Sequence, residues 1–323
     1  MKIIDKSITE WLLKGDISIQ CQVHRDILRS SEALINKLQK RIETEGWGSL
    51  FLGAQNENGH WGRGFYQPKW TSTHYTLMDL KNIGLPKNNR KIHKSIKMIF
   101  DQAFCNDGGI NYSKTLLHSD VCINGMVLGF ASYFNVQGET VVSKIVSLVD
   151  SLLATQMDDG GWNCEYIHGA SHSSMHTTIS VLEGLFEYKN AGGVHRTGEI
   201  LDAERRAIEF LLEHRLFQSH RTGMIMDKKM LMLSYPSRWR YDILRALDYL
   251  RSYGAGYDKR MEDAFKKLLK KRRSDGSWPL QMKHPGQVHF DMEKTGQPSR
   301  WNTLRALRVL EHFKINPFEG VNG

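Results

Sequence analysis

A carboxylate, a thiol and an imidazole stand at the starts of two apparent helices. Asp120 and Cys122 lie in Ser119-Asp120-Val121-Cys122-Ile123-Asn124-Gly125, and His176 lies in Ser174-Met175-His176-Thr177-Thr178. Asp, Cys and His are zinc ligands, and three of them leave a fourth tetrahedral position open for water or a thiol, as catalytic sites do. A thiol held there is a thiolate near neutral pH and can attack an electrophilic carbon, an allylic one among them. On a continuous helix, residues two apart point to nearly opposite faces. With Asp120 or Ser119 as N-cap the backbone is non-helical, both side chains can turn the same way, and the helix dipole favours the Cys122 thiolate. The alternative is structural: Asp120 an ordinary N-cap, Cys122 a small buried residue, His176 a polar residue lining a cavity mouth. Cys164 and His172 are near enough in sequence to substitute as ligands.

A repeat must position these residues. The same glycine turn occurs in Gln55-Asn56-Glu57-Asn58-Gly59-His60-Trp61, Asn106-Asp107-Gly108-Gly109-Ile110, Gln156-Met157-Asp158-Asp159-Gly160-Gly161-Trp162 and Ser274-Asp275-Gly276-Ser277-Trp278. The glycine spacings are 49, 52 and 116 residues, the last being two units of 58 with a degenerate copy expected near Gly223. Each turn follows an amphipathic helical pattern, as over 35–42, 145–154, 207–216 and 265–271. Each precedes a more apolar pattern, headed in turn by residues 22–26, 73–75, 119–122, 174–177, 238–241 and 300–302. Helices as apolar as 181–186 must be packed on several sides. Six helical hairpins follow. An open stack needs polar capping repeats, and the last apolar stretch, 301–313, is not one. The expectation is an all-α, (α/α)6 toroid, one domain over 1–323 with a central cavity, in which Trp61, Trp162 and Trp278 wedge between hairpins.

Composition excludes several classes. Hydrophobic residues at 40% provide a core, and no apolar run approaches the ~20 residues of a transmembrane helix. Residues 1–6 are charged where a signal peptide needs an apolar centre, so a cytoplasmic protein is expected, and its four scattered cysteines are expected to be reduced. The net charge of +9 gathers partly in Lys266-Lys267 and Lys270-Lys271-Arg272-Arg273 along one apparent helix, a solvated face rather than a nucleic-acid site. Such potential also attracts anionic substrates or a membrane surface.

In the turns at Gln55 to Trp61 and Gln156 to Trp162 the chain resembles the terpenoid cyclase and protein prenyltransferase superfamily, over nearly its whole length. Arg272 stands where that pattern has Gln, and Ile110 replaces Trp. The Asp-x-Asp-Asp acid of squalene-type cyclases is absent, Asp158-Asp159 lying in a repeat turn instead. Asp120-Val121-Cys122 and His176-Thr177, followed by Leu182-Glu183-Gly184-Leu185, are similar to the zinc-binding segments of prenyltransferase β subunits. The resemblance implies zinc on Asp120, Cys122 and His176, Lys114 near a prenyl diphosphate, and a helical partner subunit. Ile123 departs from the family's aromatic residue near its Cys.

Further candidates head the other apolar helices: His24, Arg25, His74 and Tyr75 early in the chain, and Arg238, Arg240, Tyr241, Arg300 and Trp301 late in it. Arginine suits phosphate or carboxylate, although pairing with Asp242 or carbonyls is the plainer role. The long connection 281–293 offers His284, His289, Asp291 and Glu293 as acid-base groups, a second ligand set or merely an ordered loop. The expected function is prenyltransferase-like: a zinc enzyme moving an allylic group from a diphosphate donor to a thiol or other nucleophile. Its catalytic candidates are His24, His74, Tyr75, Tyr241, His289 and Asp291, and its substrate-binding candidates Lys114, Arg25, Arg238, Arg240, Arg300 and Trp301. The expected ligand is a small isoprenoid or phosphorylated molecule, with a peripheral membrane or protein partner also open. The alternatives are a metal-independent saccharide lyase or hydrolase on the same toroid, or a non-catalytic toroid that binds peptide or lipid.

Overall fold

Capping side chains set where the helices begin. The computed structural model describes residues 5–113, 115 and 117–317. Asp5, Asp16, Ser31 and Asn89 each accept a backbone N–H and open α1 (Lys6–Leu13), α2 (Ile17–Asp26), α3 (Glu32–Arg41) and α6 (Arg90–Ala103). Between the last two lie α4 (Gly46–Gly53) and α5 (Thr73–Ile83). Then follow α7 (Val121–Tyr133), α8 (Glu139–Ala154), α9 (Met175–Asn190), α10 (Thr197–Glu213), α11 (Ile243–Tyr253), α12 (Glu262–Leu269) and α13 (Arg300–His312). A two-residue strand pair, Trp278–Pro279 with Pro298–Ser299, precedes α13. Helices α5, α7, α9, α11 and α13 are buried on nearly all sides, whereas α3, α8, α10 and α12 keep an exposed face, the two sets expected from their patterns. Among the described residues no helix is long and apolar enough to cross a membrane.

The chain forms two compact units. One takes the described residues of Met1–Gly53, Asn82–Leu85 and Leu212–Gly323, the other Ala54–Lys81 and Pro86–Leu211.

In the second unit the repeated turns are clamped alike. Gln55 Nε2 donates to the Gly59 carbonyl at 3.0 Å and Gln156 Nε2 to that of Gly160 at 2.6 Å. The amide two residues beyond the glycine then donates to a side chain of the next buried helix: Trp61 to Thr73 Oγ1 (3.1 Å), Ile110 to Asn124 Oδ1 (2.7 Å) and Trp162 to Thr178 Oγ1 (3.0 Å). In the first unit Trp278 N meets Thr303 Oγ1 at 2.9 Å. The three indoles are fully buried, and those of Trp162 and Trp278 donate to the carbonyls of Leu152 and Leu268. These tryptophans are structural. The degenerate copy lies at Gly223, whose φ of 69° and Gln218–Ile225 bridge match the Phe104–Ile110 bridge around Gly108. We expect Thr178→Val, which leaves the buried Trp162 amide without its acceptor, to cost about 1–3 kcal/mol in urea unfolding.

Helices α7 and α9 meet backbone to backbone. A Cβ on Gly184 would lie 2.2 Å from the Gly125 carbonyl oxygen, and one on Gly125 would lie 2.8 Å from that of Ser180. Only glycine permits this approach, which aligns the two helices. Gly184→Ala should force them apart at a cost of about 1–3 kcal/mol, measured by thermal or urea denaturation.

In the first unit α13 packs on both α11 and α2. Arg308 of α13 joins them, donating to Asp248 Oδ1 of α11 (2.8 Å) and Asp26 Oδ2 of α2 (2.8 Å), and Arg305 adds a longer contact to Asp248 at 3.4 Å. Helix α2 corrects one sequence expectation. Because Asp16 caps it, His24 and Arg25 stand in its last turn, not at its head. Arg238, Arg240 and Tyr241 likewise precede α11, which Asp242 caps by accepting the Arg245 amide at 2.9 Å.

Candidate metal and substrate site at the start of helix α7

Asp120 is the N-cap of α7. Its φ of −100° and ψ of 121° are extended, and Oδ1 accepts from Cys122 N (2.9 Å) and Ile123 N (3.2 Å). This is the non-helical start that lets a carboxylate and a thiol two residues apart share one side. The third member comes from the loop between α8 and α9. A short 3-10 turn, Cys164–His168, follows the buried Trp162, and Asn163 caps it by accepting Glu165 N at 3.0 Å while donating to the His172 carbonyl at 2.8 Å. The turn brings Cys164 Sγ within 3.2 Å of Asp120 Oδ1 and 3.2 Å of Thr177 Oγ1 on α9.

One ligand atom each from Asp120, Cys122 and Cys164 lies within 4.8 Å of the others. Two zinc–sulfur bonds of ~2.3 Å at a tetrahedral angle put their sulfurs ~3.8 Å apart, so small side-chain rotations complete such a site. The donor set of two thiols and one carboxylate suits zinc. The Cys122 thiol is pushed well above its usual range by its hydrogen bond with Cys164, then by burial and the Asp120 charge. All of these influences act in one direction, and a cation among the three groups reverses them. His176, in the first turn of α9, stands outside this trio but is bonded in the chain to Thr177, which touches it.

An aromatic wall adjoins the trio. Tyr66 and Tyr75 share a hydroxyl hydrogen bond at 3.0 Å, and the Tyr66 ring stacks on Tyr112 with centroids 5.5 Å apart. Phe65 covers Tyr112 from another side at 5.6 Å. Burial pushes the Tyr66 hydroxyl up against the opposing Tyr75 bond, and the charges of Cys122, Asp120 and Cys164 push it further, so the ring sits in their field. His74 Nδ1 meets the Tyr112 hydroxyl at 3.2 Å, whereas its buried Nε2 has no hydrogen-bond partner among the described residues.

Burial drives the His74 pKa down to about 3, so the folded protein holds it neutral. An unfolded histidine titrates near 6.5, so the unfolded chain binds this proton first as the pH falls. The stability it contributes is complete above about pH 6.5 and is lost progressively between there and about pH 3. Between pH 7 and pH 5 the loss is about 2 kcal/mol, and His74→Phe should remove that share of the slope in urea titrations at the two pH values.

The remaining candidates lie elsewhere or serve the fold. Lys114 falls outside the described residues. In the first unit the Tyr241 hydroxyl donates to the Leu216 carbonyl at 2.6 Å. Arg300 lies 4.6 Å over the Trp11 ring with its Nε donating to the Trp11 carbonyl, and Arg240 covers Trp239 at 4.5 Å. Trp301 stacks on Tyr235 at 4.7 Å and Trp47 at 6.1 Å. Arg25 pairs with Asp26 and His24 Nδ1 with Ser30 Oγ. Asp291 pairs with Lys283 at 2.7 Å, and Glu293 accepts from the Arg300 amide at 2.7 Å, capping α13. His289 packs edge-on against Phe51, and burial followed by the charge of the buried Arg238 pushes its pKa down to about 4. Tyr66 and Tyr112 were not among the sequence candidates. A signal existed: Tyr112 and Cys164 each stand four residues after a turn glycine, Gly108 and Gly160.

No family model matches the chain, and no curated protein sequence matches it. Among solved structures, a polysaccharide lyase matches with TM-score 0.52 at 13% identity, over 99% of this chain and 92% of its own. A type II terpene cyclase from Scytonema, in complex with geranylgeranyl dihydroxybenzoate, gives 0.44 at 15% identity, over 92% of this chain and 87% of its own. A protein from Actinoplanes gives 0.45 at 15% identity, over 93% and 90%. The first of these likenesses bears on the fold and on nothing else. The chain is an all-α protein of the α/α-toroid class.

Proposed function

We propose that this protein is an enzyme of prenyltransferase type with a zinc ion on Asp120, Cys122 and Cys164. The observation that carries the reading is the convergence of those three ligand atoms within 4.8 Å at a helix start. When bound, zinc supplies a positive charge that keeps a substrate thiol ionised at neutral pH. The chain's own residues do the rest. Asp120 is held by two amides and Cys164 by the Thr177 hydroxyl, so the donors are oriented before any ligand arrives. The Tyr66 and Phe65 rings, which flank Tyr112, offer negative faces to a carbon that becomes positive as an allylic diphosphate leaves. Tyr66 and Tyr112 keep their protons, because burial raises both hydroxyls, and so they shield the site without acting as bases.

Isothermal titration and thermal shift with geranyl, farnesyl and geranylgeranyl diphosphates test the substrate class. A diphosphate at ~100 times its Kd should stabilise the zinc-loaded protein by about 2.7 kcal/mol. No shift with any of the three, in protein that holds zinc, removes the prenyl-transfer reading and leaves the metal site.

A second reading, a metal-independent saccharide lyase, draws on the polysaccharide lyase that shares this fold and on His289, which is partly exposed and held neutral by burial and the charge of Arg238. Its test is the absorbance of an unsaturated uronate product from acidic oligosaccharides, in wild type and His289→Ala, with chelator present. Release by wild type alone supports it.

A further inference from the structure

At the other end of α7 the same unit contains a second, unrelated pocket of about 290 Å³. Helix α7 ends there, α9 ends beside it, and α8 closes one side. Twelve residues at 1.5 Å each separate Asp120 from Ser132, about 18 Å along the helix, so the metal trio plays no part in it. The walls are largely aliphatic, with Ala131 from the end of α7, Val136 just beyond it and Val142, Ile145 and Val146 from α8, while Asn135 and Gln137 stand at the edge. Tyr188 forms the floor, only 6% exposed, with its hydroxyl accepting the His195 amide at 3.1 Å. Gly193 fixes that ring, since a Cβ there would lie 2.3 Å from it.

Two observations turn this hollow into a site. Ser132 lines it, is only 4% exposed, and its Oγ has no hydrogen-bond partner among the described residues. A buried hydroxyl without a partner is destabilising, and a ligand oxygen that pairs with it recovers that loss. No carboxylate, lysine or arginine is among the described residues that line it, and the one titratable ring at its rim, His195, is taken through Nε2 by Asp150 at 2.8 Å. A charged ligand therefore finds no counter-ion left over. The volume lies at the small end of ligand pockets, which run from roughly 300 Å³.

We infer that this pocket binds a neutral, compact apolar molecule carrying one hydroxyl, a phenol or cyclic alcohol, with that hydroxyl on Ser132 Oγ. Serine both donates and accepts, so a hydroxyl satisfies it in either sense, while the aliphatic walls take the ring.

The probe is 1-naphthol, with naphthalene as the partner lacking the hydroxyl, followed by ligand fluorescence and by NMR saturation transfer. Wild type should bind 1-naphthol saturably and more tightly than naphthalene. Ser132→Ala should weaken 1-naphthol about fivefold while leaving naphthalene unchanged, the size of one neutral hydrogen bond. Val146→Trp, at a half-buried position where the indole fills the hollow, should abolish binding of both, with helical circular dichroism unchanged. Asp120→Asn should bind like wild type. Absence of saturable binding overturns the assignment, as does binding that survives Val146→Trp or equal 1-naphthol affinity in Ser132→Ala.

Discussion

Protein purified without a histidine tag should carry about one equivalent of zinc, and Cys122→Ser and Cys164→Ser should each carry less than about a tenth. The effect is large because each thiolate supplies one of only three protein bonds to the metal, and serine is a poor donor to zinc. Asp120→Asn loses charge but keeps an oxygen that can cap α7, so its loss should be intermediate. His176→Ala should retain the metal, since His176 stands outside the trio. Elemental analysis of the four variants decides. Zinc lost from His176→Ala and kept in Cys164→Ser would return the ligand set to Asp120, Cys122 and His176, while zinc-free wild type would end the metal reading altogether.

Removing the Asp248 carboxylate should be the most destabilising single change in the first unit. Burial alone would push its pKa up, but the charges of Arg308, Arg251 and Arg305 and the Arg308 hydrogen bond hold it well below the usual carboxylate range. Asp248→Ala leaves those guanidinium groups facing each other inside the protein, a loss of about 3–5 kcal/mol for a broken buried pair. The pH dependence has a definite sign. A depressed carboxylate contributes stability that is complete above its unfolded pKa, about 3.9, and is lost as the pH falls towards its folded value. Wild type should therefore weaken steeply below about pH 4, and Asp248→Asn should flatten that part of the curve in urea titrations. Equal acid slopes in the two proteins would show that Asp248 is not held ionised.

Much of this was legible in the sequence, for physical reasons that differ by element. The turns at Gly59, Gly108, Gly160 and Gly276 were visible because each needs a positive φ and a residue to bury two positions later, and both demands constrain residue type. Gly223 was placed by period alone. The cap at Asp120 was visible because an Asp before an apolar run has few other roles. Cys164 was only a substitute in that reading, since its position depends on a 3-10 turn that carries no periodicity. His24 and Arg25 were misplaced because the cap of α2 is Asp16, six residues before the polar cluster that resembles a helix start. The arginines were harder still. Arg300 and Arg240 look like ligand groups, but indole rings occupy them: Arg300 lies over Trp11, far away in the chain, which leaves no pattern, and Arg240 folds back over its own neighbour Trp239.

The division of contacts also orders the molecule in time. The second unit is almost one continuous stretch, 54–211 apart from residues 82–85, whereas the first draws on both flanks of it. During synthesis the ribosome delivers the whole of the second unit before most of the first exists. Helix α2 is made well before α13, so Asp26 waits for Arg308, 282 residues further along the chain. Until α13 emerges, neither Asp26 nor Asp248 has its Arg308 partner, so the first unit closes last.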